Sequence, residues 1–307
     1  MAAIVWGQPS REQFSSRVVT RGLANPMEMS MGPDGFLWVT ERAGRVVRVN
    51  PADGAKAVAV TVPEVYTGET QAGLLGLALH PELLKGTGND FVYVVFSYDN
   101  AAGTKLDRRL AVRRYTFDVQ AKTLGSPVDV LTGLPQGLDH VSGRVVIGPD
   151  TKLYVSVGDQ GNNFAANRCN VNHAQDLPTA AEVRAKDWKS YQGKILRLNL
   201  DGSIPADNPV LNGVRSHVYT YGHRNVQGMV FGPDGKMYAS EHGQGSDDEV
   251  NLIEAGKNYG WPYVAGYRDD QSYVYAMWPK SAPEPCSSWL SLNGNDMTLV
   301  PKSVPVQ

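Results

Sequence analysis

Three times the sequence writes Gly-Pro-Asp and then runs into a strand. "MGPDGFLWVTE" starts at Met31, "IGPDTKLYVSVGDQG" at Ile147 and "FGPDGKMYASEHGQG" at Phe231. A degenerate copy, "LALHPELL" from Leu77, leads into "DFVYVVFSYD". In each, an apolar residue precedes a proline turn, and an alternating segment follows that ends in polar residues. Proline presets φ at the second turn position, and Asp-Gly favours a tight connection between antiparallel strands. "GRVVRVN" (44–50), "RLAVRRYTFD" (109–118) and "GKILRLNLDG" (193–202) supply the next strands of these units, with period two in "KILRLNL".

The turn prolines Pro33, Pro81, Pro149 and Pro233 are 48, 68 and 84 residues apart. Units repeated with variable insertions predict an all-β fold, a β-propeller of four-stranded blades with its insertions gathered as loops on one face. A sandwich with long hairpins is the competing arrangement. The 32 glycines and 19 prolines, spread along 307 residues, agree with many turns. Helical signal is confined to "TAAEVRAKDWKSY" (179–191), with Thr179 as N-cap and Glu182 in the first turn. "HPELL" adds at most one turn. The tail from Pro279 has no strand period.

A formal charge of −2 gives no reason to expect nucleic acid or an anionic membrane as partner. No apolar run reaches the roughly 18 residues of a membrane-spanning helix. The start, "MAAIVWGQPS", lacks a basic stretch followed by an apolar one, as in the mature form of an exported protein. Cys169 and Cys286 allow one disulfide or two thiols.

Polar clusters fall where strands should end. "GETQAGLLG" carries Gln71, "GLDHVSGR" carries Asp139 and His140, and "GHRNVQG" carries His223, Arg224, Asn225 and Gln227. "SEHGQGSDDEVNLI" is followed by "GKNYGWPYVAGYRDD". Four loops from successive blades would converge over a central channel. A neutral imidazole is a good general base, and a carboxylate beside it orients it. Sequence neighbours need a bent backbone to do this, and a histidine satisfied in a strand-end turn is the plainer reading. Arginine suits carboxylates and developing oxyanions, or pairs with a blade acid. "GDQGNN" (158–163) reads as a turn. The acids of "GSDDEVNL" and "AGYRDD" are hard-cation ligands or solvated surface, with spacing unlike an EF-hand loop. Cys169 with His173 lacks the second pair that zinc would want.

Taken in order, "GLLGLALHP", "DH…GR", "GDQGNN", "YQGKILRLNLDGSIPADNP", "YGHRNVQG", "SDDEVNL" and "NYGWPYVAGYRDD" resemble the soluble dehydrogenases of glucose and other aldoses that depend on pyrroloquinoline quinone, six-bladed calcium-requiring propellers. The resemblance runs from about residue 15 to about residue 278. It implies oxidation of an aldose at its anomeric carbon to the lactone, by hydride transfer to the quinone. His140 would be the base, with Asp139 supporting it. Arg224 would stabilise charge on a quinone oxygen. Asn225 and Gln227 would join Arg224 and His140 at the cofactor, and Gln71 would position the substrate hydroxyl. A catalytic calcium would take backbone oxygens of Gly243 and Gln244. A structural calcium would draw on Asp248, Glu249, Tyr259, Ala265 and Asp269. Val141 and Ser142 depart from the family pattern.

The family carries two further blades, so residues 1–307 are expected to form one propeller domain of about four blades, apparently truncated at the C-terminus. Open propeller edges invite pairing. A complementary C-terminal segment is therefore one expected partner, beside a sugar, an external electron acceptor and a second copy in a homodimer. A periplasmic or secreted location follows from the resemblance. A calcium-dependent propeller lactonase and a non-catalytic binding propeller are the competing functions.

Overall fold

The computed structural model describes residues 14–101, 103, 105–162, 170–243 and 247–262. It is built almost wholly of antiparallel sheets. Blade 1 contains β1 (Pro26–Met31), β2 (Leu37–Glu41), β3 (Arg45–Val49) and β4 (Lys56–Thr61) in simple meander order. Blade 2 repeats this with β5 (Leu74–Leu79), β6 (Phe91–Asp99), β7 (Arg108–Asp118) and β8 (Thr123–Pro135).

Blade 3 has β9 (Ser142–Ile147), β10 (Leu153–Val157) and β11 (Lys194–Leu198). A small ribbon, β12 (Val210–Leu211) with β13 (Val214–Arg215), interrupts it before its fourth strand, β14 (Val218–Tyr221). Blade 4 shows β15 (Val226–Phe231), β16 (Met237–Glu241) and β17 (Glu249–Ile253) among the described residues. The four-blade propeller expected from the repeat is the observed fold, and a sandwich is not.

The repeated turn works through its fourth residue. Gly35 and Gly235 take φ +74° and +75°, and Thr151 takes φ +56° at the same point of the third copy. The turn aspartates Asp34, Asp150 and Asp234 accept the N–H two residues on. They also bind the aromatic four residues on, at Trp38, Tyr154 and Tyr238. In blades 1 and 3 an arginine of the next strand, Arg48 or Arg197, closes the group.

The core lies between blades. Trp38, Leu74, Leu77, Val92, Val94 and Phe96 join blade 1 to blade 2. Tyr93, Val95, Leu153, Val155 and Leu196 join blade 2 to blade 3. Tyr154, Ile195, Val226, Met229 and Ala239 join blade 3 to blade 4. An inner sheet is thus buried on both faces, which is why "VYVVF" is apolar without alternation. Outer faces are different: Met29 and Met31 on β1, and Val230, Val250 and Leu252 on blade 4, are exposed.

Helix α1 (Ala180–Ala185) starts as its sequence predicts. Thr179 and Glu182 form a reciprocal capping box, and a short 3-10 turn (Lys189–Tyr191) follows. The segment after Pro81 forms turns rather than a helix.

In all four blades the first strand carries a one-residue irregularity at the end near the polar loops. Pairing shifts between Pro26 and Glu28, Leu74 and Leu77, Val155 and Val157 (opposite β9), and Val226 and Gly228. In blades 1 and 3 the second strand supplies a hydroxyl there. Thr40 accepts from Glu28 N–H at 3.0 Å and donates to Leu75 O at 2.6 Å, while Ser156 accepts from Arg144 N–H at 3.0 Å and donates to Val226 O at 3.2 Å. Each hydroxyl therefore stitches its own bulge to the next blade.

Candidate active site

The bulges decide which side chains meet. Val157 pairs with Ser142 across β9 and β10, so the two residues beyond each strand end, Asp159 and His140, also face one another. His140 sits at φ +45° and is buried. Its Nδ1 lies 2.6 Å from Asp159 Oδ1. Gly158 makes this approach feasible, since a Cβ there would run into the His140 carbonyl.

Asp159 is fully buried. Besides His140, it accepts from Trp261 Nε1 at 2.6 Å, Asn172 Nδ2 at 2.8 Å and Gly161 N–H at 2.9 Å. Surrounded by N–H donors, it acts as an acceptor only. The hydrogen bond assigns the ring proton to Nδ1, leaving Nε2 as the basic nitrogen.

The expected bent backbone is present, but Asp139 does not hold the imidazole. Its Oδ1 accepts the His140 N–H at 2.8 Å, and its Oδ2 is 3.9 Å from Nε2, beyond hydrogen-bond reach. Asp159 orients the ring, from the "GDQGNN" segment read as a plain turn.

Gln71 links three blades. Its amide donates to Asp139, and its oxygen accepts from Val141 N–H at 3.3 Å and Asn225 Nδ2 at 3.4 Å. Asn225 is fully buried; its oxygen accepts from Ser142 N–H and Oγ at 3.2 and 3.1 Å and from Gln227 Nε2 at 3.0 Å. Gln227 thus orients Asn225.

Arg224 is buried, with its backbone N–H on the Glu241 carboxylate. Its carbonyl accepts the Asp159 N–H at 2.9 Å. Its NH1 donates to His242 O at 2.8 Å, and its guanidinium lies 5.5 Å from the centre of the Trp261 ring. Trp261 therefore touches both the acid behind the histidine and the cation beside it. Glu241 also binds His223 Nδ1 at 2.9 Å, and His223 stacks on Tyr259 at 4.5 Å.

The expected calcium ligands are less assembled. Gly243 N–H and His242 Nδ1 both donate to Asp248 Oδ1 at 2.8 Å. These contacts, His242 first, hold the Asp248 carboxyl below the usual carboxylate range. Glu249 accepts from Asn251 at 2.8 Å. Tyr259 donates to Leu252 O at 2.6 Å, and burial pushes its phenol up to about 12. A small cavity beside Arg224 is lined by Glu241, Gly243, Asp247 and Glu249. No group of three or more His, Cys, Asp or Glu among the described residues converges as metal ligands. Gln244, Ala265, Asp269, Cys169 and Cys286 lie outside the described residues.

Sequence reasoning singled out Asp139, His140, Gln71, Arg224, Asn225 and Gln227, and the fold brings them together. It missed Asp159, Asn172 and the indole of Trp261. The hairpin register carried a signal for Asp159. Counting back from the "GPDT" turn pairs residue 159 with 141, and the bulge moves the partner to His140.

The chain is 48% identical over 275 residues to quinoprotein glucose dehydrogenase B of Acinetobacter calcoaceticus, covering 88% of this chain and 57% of that protein. It is 28% identical over 267 residues to an aldose sugar dehydrogenase of Escherichia coli, covering 85% and 65%. The solved PQQ-bound aldose sugar dehydrogenase of Streptomyces coelicolor superimposes with a TM-score of 0.66 at 35% identity, covering 81% of this chain and 66% of that one. The chain thus spans between about half and two thirds of the length of these relatives. Residues 23–290 match the Glucose / Sorbosone dehydrogenase family along most of the chain, and the chain belongs to that family.

Proposed function

We propose that this chain carries the proton-transfer and quinone-facing part of a pyrroloquinoline-quinone-dependent dehydrogenase that oxidises an aldose at its anomeric carbon to the lactone. The observation that carries this reading is the buried His140–Asp159 pair standing beside Arg224 and Asn225. Asp159 fixes the proton on Nδ1, so Nε2 takes the proton of the anomeric hydroxyl and Asp159 stabilises the imidazolium that results. Gln71 and Asp139, hydrogen-bonded to one another, orient the sugar hydroxyls at that nitrogen.

Pyrroloquinoline quinone, when bound, supplies the two-electron acceptor for the hydride. The donor set fits such a group. A buried guanidinium beside an indole suits a planar acceptor whose oxygen gathers charge. Arg224 would hold such a group by the charge-bearing oxygen, and Asn225 would lie behind its neighbouring polar edge. Gln227 keeps the Asn225 oxygen engaged and so holds its amide in place.

Calcium enters this reading from the family resemblance, with Gly243, Asp248, Glu249 and Tyr259 as its described candidates and Gln244, Ala265 and Asp269 as the others. A separate electron acceptor would be needed to take the electrons onward, in the periplasm or outside the cell. No helix among the described residues is long and apolar enough to cross a membrane. The exposed apolar faces of blades 1 and 4 support further sheet, from a complementary C-terminal segment, or a second copy packing there in the active form.

The test is dye reduction by the purified chain with the quinone, calcium and glucose, beside His140→Ala and with or without a chelator. Turnover in the parent that His140→Ala abolishes supports the reading, and dependence on calcium supports the metal. Equal rates in both remove His140 as the base. Lactone hydrolysis without dye reduction would favour the lactonase instead.

A further inference from the structure

We infer that Arg42 is a positioning residue for the active site, acting from blade 1 through the loop that presents Gln71. This rests on the function proposed above only for its activity readout. Arg42 directly follows β2 at the same end of the propeller as the active site. Its guanidinium is spent on backbone carbonyls. Nε donates to Ala72 O at 2.9 Å, and NH2 donates to Thr67 O at 2.8 Å and to Glu69 O. The Arg42 carbonyl in turn accepts the Leu74 N–H at 3.0 Å.

These contacts bracket Gln71 on both sides in the chain. Residues 62–73 contain no strand, so their carbonyls need donors from elsewhere. A guanidinium offers five N–H groups in one plane and satisfies several carbonyls from a single position. The fit is close. A Cβ on Gly73 would lie 2.6 Å from both Arg42 Cγ and Arg42 O. The far side of the loop is held separately, with Arg108 Nε and Tyr66 OH donating to Glu69 Oε1 at 2.6 and 3.0 Å.

The loop's product is one side chain that bonds Asp139, Val141 and Asn225 on two other blades. A displacement of Gln71 by a few tenths of an ångström breaks contacts already at 3.3 and 3.4 Å. Arg42 therefore sets the register between blade 1 and the hydroxyl-binding edge of the site without touching substrate.

A double-mutant cycle tests this. In the parent background Arg42→Met lowers kcat/KM for dye-linked aldose oxidation about tenfold or more, chiefly through KM. Arg42→Lys, with one point donor in place of a fork, recovers part of the loss. In a Gln71→Ala background Arg42→Met adds less than about twofold, because its route of action is gone. The same full loss in both backgrounds overturns the inference, as does an unchanged KM in a folded Arg42→Met protein. Should Arg42→Met fail to fold, Arg42→Lys carries the same cycle. Hydrogen exchange of the Val141 amide gives a readout free of turnover. Faster exchange in both Arg42→Met and Gln71→Ala supports the inference even if the chain oxidises no aldose, which would sink only the proposed function. Parent-like Val141 exchange in a folded Arg42 variant overturns it.

Discussion

Asp159 and His140 stand 19 residues apart in the chain and meet at 2.6 Å in the interior. The carboxylate selects the tautomer, and in the function proposed above it would meet the charge that His140 acquires as a base. Asp159→Asn keeps the shape and removes the charge. We expect it to lower kcat by about 10²–10⁴-fold with the fold retained. Rate against pH together with circular dichroism checks this, and a folded variant at parental rate refutes it.

Arg224 is held by its own backbone, by the His242 carbonyl and by the Trp261 ring. Lysine keeps the charge and loses the planar fork and the stacking. Arg224→Lys should cost about 10²–10³ in kcat and weaken retention of the quinone, read by turnover and by cofactor titration of the apo chain.

Lys194 is buried at the start of β11 and donates to His173 O, Ala174 O and Gln192 O at 3.1, 2.8 and 2.7 Å. The segment it anchors presents Asn172 to Asp159. Lys194→Met removes a charged donor from three carbonyls, of which His173 O and Ala174 O keep the N–H groups of Asp176 and Gly222, and we expect a loss of about 1–3 kcal/mol in unfolding free energy. Urea titration measures it; a loss below about 1 kcal/mol would show the clamp to be dispensable.

His217 is buried against Tyr191 and Trp188, with Nε2 on Gly202 O at 3.0 Å. Burial lowers its pKa, against the smaller raising effect of that carbonyl. The unfolded chain protonates near the ordinary value of about 6.5, so below that pH it binds more protons than the folded chain. Stability should therefore fall as pH drops from about 6.5 and level off below the folded-state value. His217→Gln should flatten that part of the profile. Melting temperatures of both proteins between about pH 7.5 and 5 decide it, and identical slopes would remove His217 as the cause.

The propeller was legible because its signals are local. Each Gly-Pro-Asp turn needs only its own residues: a preset proline φ, an aspartate that accepts from two residues on, and a left-handed fourth position that Thr151 also adopts. The helix start at Thr179 was legible for the same reason. The spacing of the turns then implied repeated blades. What alternation could not show is that the inner sheets are covered on both faces. Val92 and Val94 of β6 pack against blade 1, while Tyr93 and Val95 pack against blade 3.

The site was legible as a set of residue types and not as a set of partners. The sequence by itself determined that His140, Asp139, Gln71, Arg224 and Asn225 lie at the same ends of successive blades, since strand direction repeats with the turns. Only the tertiary structure decided that Asp159 rather than Asp139 faces the imidazole. That choice depends on a one-residue bulge between β9 and β10, with Ser142 at φ +59° and Gly143 at φ +81°. A bulge shifts pairing by one position and turns a side chain to the other face. Ser156 stabilises it by donating to Val226 O on the neighbouring blade, a contact that exists only once the blades have packed.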